Sequence, residues 1–543
     1  MMRLKKATTY TEVYDSFNWK VPEFLNMGVE VCDKHAIRAP EQIALIVASP
    51  EENPVNYTFA SVRTLSNRLA NTLMAAGLGR GERIAILLPQ SVETAVSHIA
   101  AWKMGSISIP LFTLFGEDAL RFRLMDSGAK IMITNMEQYG KVESLLPELP
   151  NLKKVFIVDA SMDDKDVCSF WADIEKASSA FKPVKTHAET PAFISYTSGT
   201  TGNPKGALHA HRTLIGHLPG VEFFHNFLPQ AGDLMWTPAD WAWIGGLMNC
   251  LIGSWHYGVT NLAYRARKYD PEEALALIER FEIRNTFMPP TALKVMREVP
   301  KIDRFNIKLR TVAVAGEPMG SELLEWGRQR LNVTFNEFYG QTECNLVLAN
   351  NSECMKIKPG SMGKPVPGHR VAVISPDGKE LAPGSVGQIA VKAPDPVMLL
   401  EYWNNKEASD EKIINGWWEM GDQGTMDDEG YFWFVGRDDD VITSSGYRIG
   451  PGEIEDCLTR HPAVSLAAAI GVPDPTRTEL IKVFIRLMPG YSGSVQLEEE
   501  IRNFVKNRLS PHEYPRIIQF VDTLPLTSTG KIKRKELRDA ELK

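Results

Sequence analysis

The chain has 543 residues, enough at roughly 150 per domain for three or four domains or subdomains. Its 60 Lys and Arg against 67 Asp and Glu leave a formal charge of −7, with 44% hydrophobic and 23% charged residues. That balance is globular: it excludes disordered, collagen-like and disulfide-stapled mini-folds, and it argues against a nucleic-acid binder, which needs a positive excess.

In chain order, the N-terminus MMRLKKATTYTEVYDSFNW has no apolar stretch behind its basic residues. No signal peptide is therefore expected, and Glu12 and Asp15 argue against a transit peptide. From 84 to 160 strand and helix alternate. RIAILLP is a short apolar run, SVETAVSHIAAWKMG has helical spacing closed by Gly105, and SISIPL, AKIMITN and KKVFIVD read as further strands. Such alternation predicts an α/β fold of parallel, doubly wound layers. The run Trp241 to Val259 is strongly apolar but broken by four glycines, Asn249, Ser254 and His256. A membrane span needs about 20 predominantly apolar residues, so buried core near a pocket is expected, and a cytoplasmic protein with no membrane span.

The α/β pattern returns at 270–340, with PEEALALIERFEI as an amphipathic helix and LRTVAVAGEP as a buried strand ending in a turn. Around 420–450 the composition shifts: GDQGTMDDEGYFWFVGR holds a tight turn between strand-like runs, and the polar stretch DDDVITSSGYRIGPGEIE suggests a hinge. The last hundred or so residues read as a small α+β unit, with helix GEIEDCLTRH, strands SLAAAIGV and IKVFIRLM, helix LEEEIRNFVKNRL and a basic tail. The six cysteines (Cys32, Cys168, Cys250, Cys344, Cys354, Cys457) form no CxxC pair, so free thiols are expected rather than zinc or disulfides.

Four segments carry candidate chemistry. Tyr196-Thr-Ser-Gly-Thr-Thr-Gly-Asn-Pro-Lys-Gly206 interleaves hydroxyls with glycines, which lets amides and OH groups approach phosphate oxygens, and Lys205 adds a point charge. It is not a Walker loop, and a flexible surface loop has the same composition. Glu337-Phe-Tyr-Gly-Gln-Thr-Glu343 sets carboxylates beside an aromatic, suited to Mg²⁺ and a stacked base or to a solvated face. Asp422, with Arg437 fifteen residues on, suits a vicinal diol or a capped turn. Lys531 follows a small-residue turn and either reaches into a site or belongs to a solvated tail. His209 and His211 lack a third ligand at useful spacing and read as structural.

In order and spacing, YTSGTTGNPKG, YGQTE, GD, GRDDDVI, SGYRIGPGEIE and TSTGKIKR resemble the adenylate-forming superfamily of acyl-CoA synthetases, luciferases and peptide-synthetase adenylation domains. Each motif is weak alone, but six in register are specific. IKPGSMGKPVPG, EGYFWFVGRDDDVI, SSGYRIGPGEIE and Tyr514-Pro-Arg516 make the chain most similar to acetyl-CoA and medium-chain acyl-CoA synthetases. The resemblance implies a large N-terminal domain (1–437) of layered α/β sheets, a mobile α+β lid (438–543), and a hinge at Asp439.

It further implies acyl-adenylate formation from ATP followed by thiolysis with CoA, with Mg²⁺ as cofactor. Lys531, Thr342 and Glu343 would be catalytic, Glu343 holding the metal. Thr197, Ser198, Gly199, Thr200, Thr201, Gly202 and Lys205 would cradle phosphates. Gly316, Glu317 and Tyr339 would frame the adenine, with Gly340 and Gln341 also in the ATP site and Asp422 and Arg437 on the ribose. Ser445, Gly446, Tyr447, Arg448, Arg477, Lys506, Tyr514 and Arg516 would meet CoA. Asp240, Trp241, Trp243 and Gly340 would line the acyl pocket, although the tryptophans also suit plain aromatic core. Acetate-specific relatives carry tryptophan where this chain has Gly340, and each added buried CH₂ is worth about 0.8 kcal/mol, so longer, branched or cyclic acids are expected over acetate. Alternatives are a non-CoA acceptor, an acetate-specific ligase, and a non-catalytic scaffold on the same fold. Monomer and homodimer both remain open.

Overall fold

The computed structural model describes residues 3–50, 52–160, 167–197, 204–264, 269–317, 319–437, 440–444, 447–474, 478–506, 508, 514–527 and 530–541. Within them the strands form three sheets. All six cysteines are free, and among the described residues no helix is long and apolar enough to cross a membrane.

The first sheet grows from the short apolar runs. Arg83–Leu87, Ile107–Pro110, Ile131–Thr134 and Lys154–Ile157 pair in parallel. A parallel sheet covered on both faces tolerates few polar side chains, which is why these strands lack an in–out alternation. Helix Val92–Met104 connects the first two; the Ser91 side chain accepts from Thr94 N, and Gly105 closes the helix at φ +70. The antiparallel pair Pro191–Thr197 and Lys205–Ala210 and the short strand Glu401–Tyr402 complete that edge.

The second sheet has two halves. Ile43–Ala48, Thr260–Tyr264, Leu234–Trp236, Asn285–Phe287, Thr311–Val314 and Phe335–Tyr339 run parallel. After Tyr339 the pairing becomes antiparallel, through Leu348–Ala349, Ser361–Pro365, Phe432–Arg437 and Trp417–Met426. The apolar segment 241–259 is a buried π-helix Gly245–Ile252 followed by helix Gly253–His256.

The third sheet is confined to the C-terminal unit: Ile442–Ser444, Tyr447–Ile449, Val464–Asp474, Thr478–Leu487 and Ile517–Phe520. The chain thus combines a large N-terminal α/β body with a small C-terminal one. Two local features differ from the sequence reading. The polar stretch after 440 contains a β-hairpin, Ile442–Ser444 against Tyr447–Ile449. The expected basic tail is a helix, Arg534–Glu541, because Leu537 packs with Ala468, Ile470 and Phe484 while Arg534 and Arg538 reach Asp440.

Candidate active site

Two of the candidate motifs leave the carboxyl ends of neighbouring parallel strands. Thr311–Val314 and Phe335–Tyr339 pair with Val312 opposite Phe335, and the chain runs on into Ala315-Gly316-Glu317 and Gly340-Gln341-Thr342-Glu343. Crevices outside such strand ends are where open α/β sheets bind ligands. Gly316 sits at φ +96, a conformation that favours glycine. Glu317 is held by Thr291, whose hydroxyl lies 2.8 Å from each carboxylate oxygen.

Asp422 is the hub of the site. It faces Arg437 across the antiparallel pair, with Nε 3.5 Å from Oδ1. Its other oxygen accepts from the Tyr339 hydroxyl at 2.6 Å and from the Gln341 amide. Burial pushes its pKa up, and Arg437, these two donors and Lys531 oppose that shift. The Tyr339 hydroxyl is held well above its ordinary range by burial and by the carboxylate it donates to.

Beside this hub stands Glu343. The Tyr402 hydroxyl donates to its Oε1 at 2.8 Å, and Lys205 Nζ lies 5.0 Å from the centre of the Tyr402 ring. Thr197 pairs with Lys205 across the hairpin; Ser198, Gly199, Thr200, Thr201 and Gly202 lie outside the described residues. Tyr402 was not singled out from the sequence, since it sits 59 positions from its partner in a two-residue strand.

Lys531 reaches the same cleft from the C-terminal unit. Its amide donates to Thr527 Oγ1 at 3.0 Å, Thr527 N donates to its carbonyl at 2.7 Å, and Gly530 takes φ +85. The side chain keeps solvent access, yet the surrounding protein lowers its pKa; Glu317 and Asp422 oppose that shift and Arg437 adds to it.

One further carboxyl is buried here with only part of its charge compensated, by the Met319 amide. Glu337 is 5% exposed, its Oε2 has no partner, and burial pushes its pKa up to about 8. Asp240 is half-buried and accepts from Ala242 N at 2.7 Å; burial raises its pKa to about 6. Trp241 is core, at 1% exposure. Trp243 is half-buried against Phe112, ring centres 5.2 Å apart, with Phe115 at 6.3 Å. Gly340 carries a constraint that its sequence context did not reveal: a Cβ there would lie 2.1 Å from the Leu346 amide nitrogen.

Among the CoA candidates, Lys506 and Arg516 both approach the Tyr514 ring, at 5.6 and 4.1 Å from its centre. The hairpin strand Tyr447–Ile449 includes Tyr447 and Arg448 as backbone. Asp439, Ser445, Gly446 and Arg477 lie outside the described residues. His209 stacks on Phe193 at 4.6 Å, and His211 accepts from Met27 N at 3.1 Å. Burial lowers both imidazoles to about 3, and among the described residues no metal-holding group of three His, Cys, Asp or Glu occurs.

Comparison with known proteins agrees with this layout. Residues 32–403 match the family model "AMP-binding enzyme", and residues 453–531 match "AMP-binding enzyme C-terminal domain". The chain is 36% identical to the acetyl-coenzyme A synthetase of Bacillus subtilis (strain 168), over 98% of this chain and 95% of that protein. It is 35% identical to the mitochondrial acyl-coenzyme A synthetase ACSM4 of Mus musculus, over 96% and 91% of the two chains. Among solved structures, the anthranilate CoA ligase AuaEII in complex with anthranoyl-AMP superposes with a TM-score of 0.87 at 28% identity, over 96% of this chain and 98% of that one.

Proposed function

The chain belongs to the AMP-binding enzyme family and is an adenylating enzyme of the acyl-CoA synthetase kind, and from that premise we propose that it converts ATP, a carboxylic acid and CoA to acyl-CoA, AMP and pyrophosphate. In the first step a carboxylate oxygen bonds to the α-phosphorus as the bond to the pyrophosphate oxygen breaks. In the second the CoA sulfur bonds to the acyl carbon, AMP leaves with the electron pair of the broken C–O bond, and the thiol proton passes to solvent.

An anion attacks a polyanion in the first step, so cations aimed at the developing charge are the main requirement. Lys531 meets it between the carboxylate and the α-phosphate, with Thr342 beside it. Lys205, Thr197 and residues 198–202 hold the phosphates. Asp422 has one oxygen occupied by Tyr339 and Gln341 and keeps the other, near Arg437, for the ribose hydroxyls. Gly316, Glu317 and Tyr339 frame the adenine, and Gly340 and Gln341 complete the ATP site. Glu343 fits Mg²⁺: Tyr402 donates to Oε1, the other oxygen takes no hydrogen bond from a described residue, and this ion is held by one or two carboxylates plus substrate phosphates. Bound there, Mg²⁺ supplies neutralisation of the phosphate charge.

Thiolysis needs Lys531 to leave so that CoA can enter. Residues 438–543 are the moving lid and Asp439 the hinge, with Ser445, Gly446, Tyr447, Arg448, Arg477, Lys506, Tyr514 and Arg516 along the CoA path. The acids are short-to-medium, branched or cyclic rather than acetate. Gly340 supports this preference, since no side chain can be built there on this backbone to plug the pocket.

The observation that carries the reading is Lys531, on the C-terminal unit, standing in the field of Glu317, Asp422 and Arg437 on the N-terminal body. Its test is the pair of half-reactions in Lys531→Ala. Pyrophosphate release should fall by a factor of at least ~10², while thiolysis of supplied acyl-adenylate stays within a few-fold of wild type. Equal losses in both would contradict the assignment.

A further inference from the structure

We propose that Arg212 is a positioning residue for the phosphate end of the site, acting through the segment 395–403. Arg212 follows the strand Lys205–Ala210 and precedes helix Thr213–Phe224. Its guanidinium is divided between two unlike partners. Nε lies 2.8 Å from both carboxylate oxygens of Glu189. Nη1 donates to the carbonyls of Asp395, Pro396 and Met398 at 3.3, 2.7 and 2.8 Å. The arginine side chain is 13% exposed and that of Glu189 64%, so the inward face is the carbonyl one.

Carbonyl oxygens turned toward one point repel each other, and each needs a donor once buried. One cation reaches all three, among the described residues as sole side-chain donor to the Pro396 and Met398 carbonyls and beside the Met398 amide (3.1 Å) at Asp395, and ties the chain at 395–398 to the strand end at Arg212. The Asp395 carboxylate secures the same turn, with His369 Nδ1 at 2.8 Å and Val397 N donating at 2.9 Å.

What that shape serves lies further along the chain. Leu399 N donates to the Glu343 carbonyl at 2.8 Å, and Leu400 N to the Leu208 carbonyl at 2.7 Å. Glu401 and Tyr402 pair with Leu208 and Ala207, and Trp403 N donates to Gly206 O at 2.7 Å. The Tyr402 hydroxyl then fixes the Glu343 carboxylate. The segment is a strap: Arg212 grips one end, Glu343 is set at the other, and the strand bearing Lys205 runs beside it. A lysine at 212 offers a single point charge and cannot span Glu189 and the carbonyls together.

The inference rests on the ATP-dependent reading above. Its test is calorimetric binding of MgATP, without acid or CoA, to wild type, Arg212→Lys, Tyr402→Phe and the double variant. Each single change should weaken binding about tenfold, in the range of losses for partners that orient a metal ligand. KM for the acid and for CoA should stay within about twofold, and the double variant should bind no more than about twofold worse than the weaker single one. Losses that multiply in the double variant, or an Arg212→Lys protein that melts earlier but binds MgATP like wild type, would overturn the proposal. If Arg212→Lys does not fold, Tyr402→Phe decides alone: tenfold weaker binding supports the strap and unchanged binding overturns it. A wild-type chain that binds no MgATP would remove the functional reading itself, a result distinct from all of these.

Discussion

Replacing Glu337 with glutamine should flatten the dependence of stability on pH. The carboxyl lies in the strand Phe335–Tyr339, 5% exposed; among the described residues Oε2 has no partner and the Met319 amide is what helps its charged form. Burial raises its pKa from 4.5 to about 8. The folded state therefore holds a proton that the unfolded state releases. Its favourable contribution is complete below pH 4.5, declines as pH rises, and is gone once pH passes 8. A shift of about 3.5 units corresponds to about 5 kcal/mol, of which about 3 kcal/mol is already lost at pH 7. Glutamine stays neutral in both states. Urea unfolding at pH 5 and pH 8.5 should thus give similar stabilities for the two proteins at the lower pH. At the higher pH the variant should be the more stable by several kcal/mol. Glu222, raised by burial to about 7, and Asp240 titrate in both proteins and cancel in the difference. Curves that run parallel from pH 5 to 8.5 would refute the reasoning, because Glu337 would then be ionised in the fold.

Arg534→Met should destabilise the C-terminal unit. Arg534 pairs with Glu455, at 3.0 Å, and shares Asp440, at 3.4 Å, with Arg538; the side chains of Arg534, Glu455 and Asp440 are under one-fifth exposed. The loss should be about 2–4 kcal/mol in denaturant unfolding, and adding Glu455→Gln should recover part of it. Gly340→Ala should lower Tm by an amount corresponding to about 1–3 kcal/mol, since its Cβ would meet the Leu346 amide at 2.1 Å. A Gly340→Ala protein with wild-type Tm and altered acid preference would show instead that the residue matters only to the pocket.

The parallel strands between 83 and 157 were legible because strands covered on both faces must be apolar throughout. Helix Val92–Met104 was legible to its last residue because Gly105 takes the left-handed conformation that ends it. Asp422 and Arg437 flank the DDEG turn on opposite strands, and a register shift between Gln423 and Gly424 brings them face to face. Other features depend on contacts with no local signature. The switch from parallel to antiparallel pairing after Tyr339 follows from tertiary packing. Tyr402 meets Glu343, and Arg212 meets the carbonyls near 396, only because distant strands share an edge. Helix Arg534–Glu541 was read as a tail because its charge density hid Leu537, the one buried side chain among its residues.

The central claim, that a carboxylic acid is activated by ATP and passed to CoA, is tested most directly by pyrophosphate release with MgATP across acids from acetate to octanoate, benzoate and branched C4–C6 acids, with and without CoA. Release should require an acid, rise when CoA is added and peak beyond acetate. Release indifferent to CoA would mean another acceptor, a peak at acetate would contradict the acyl-pocket argument, and no release with any acid would contradict the catalytic assignment itself.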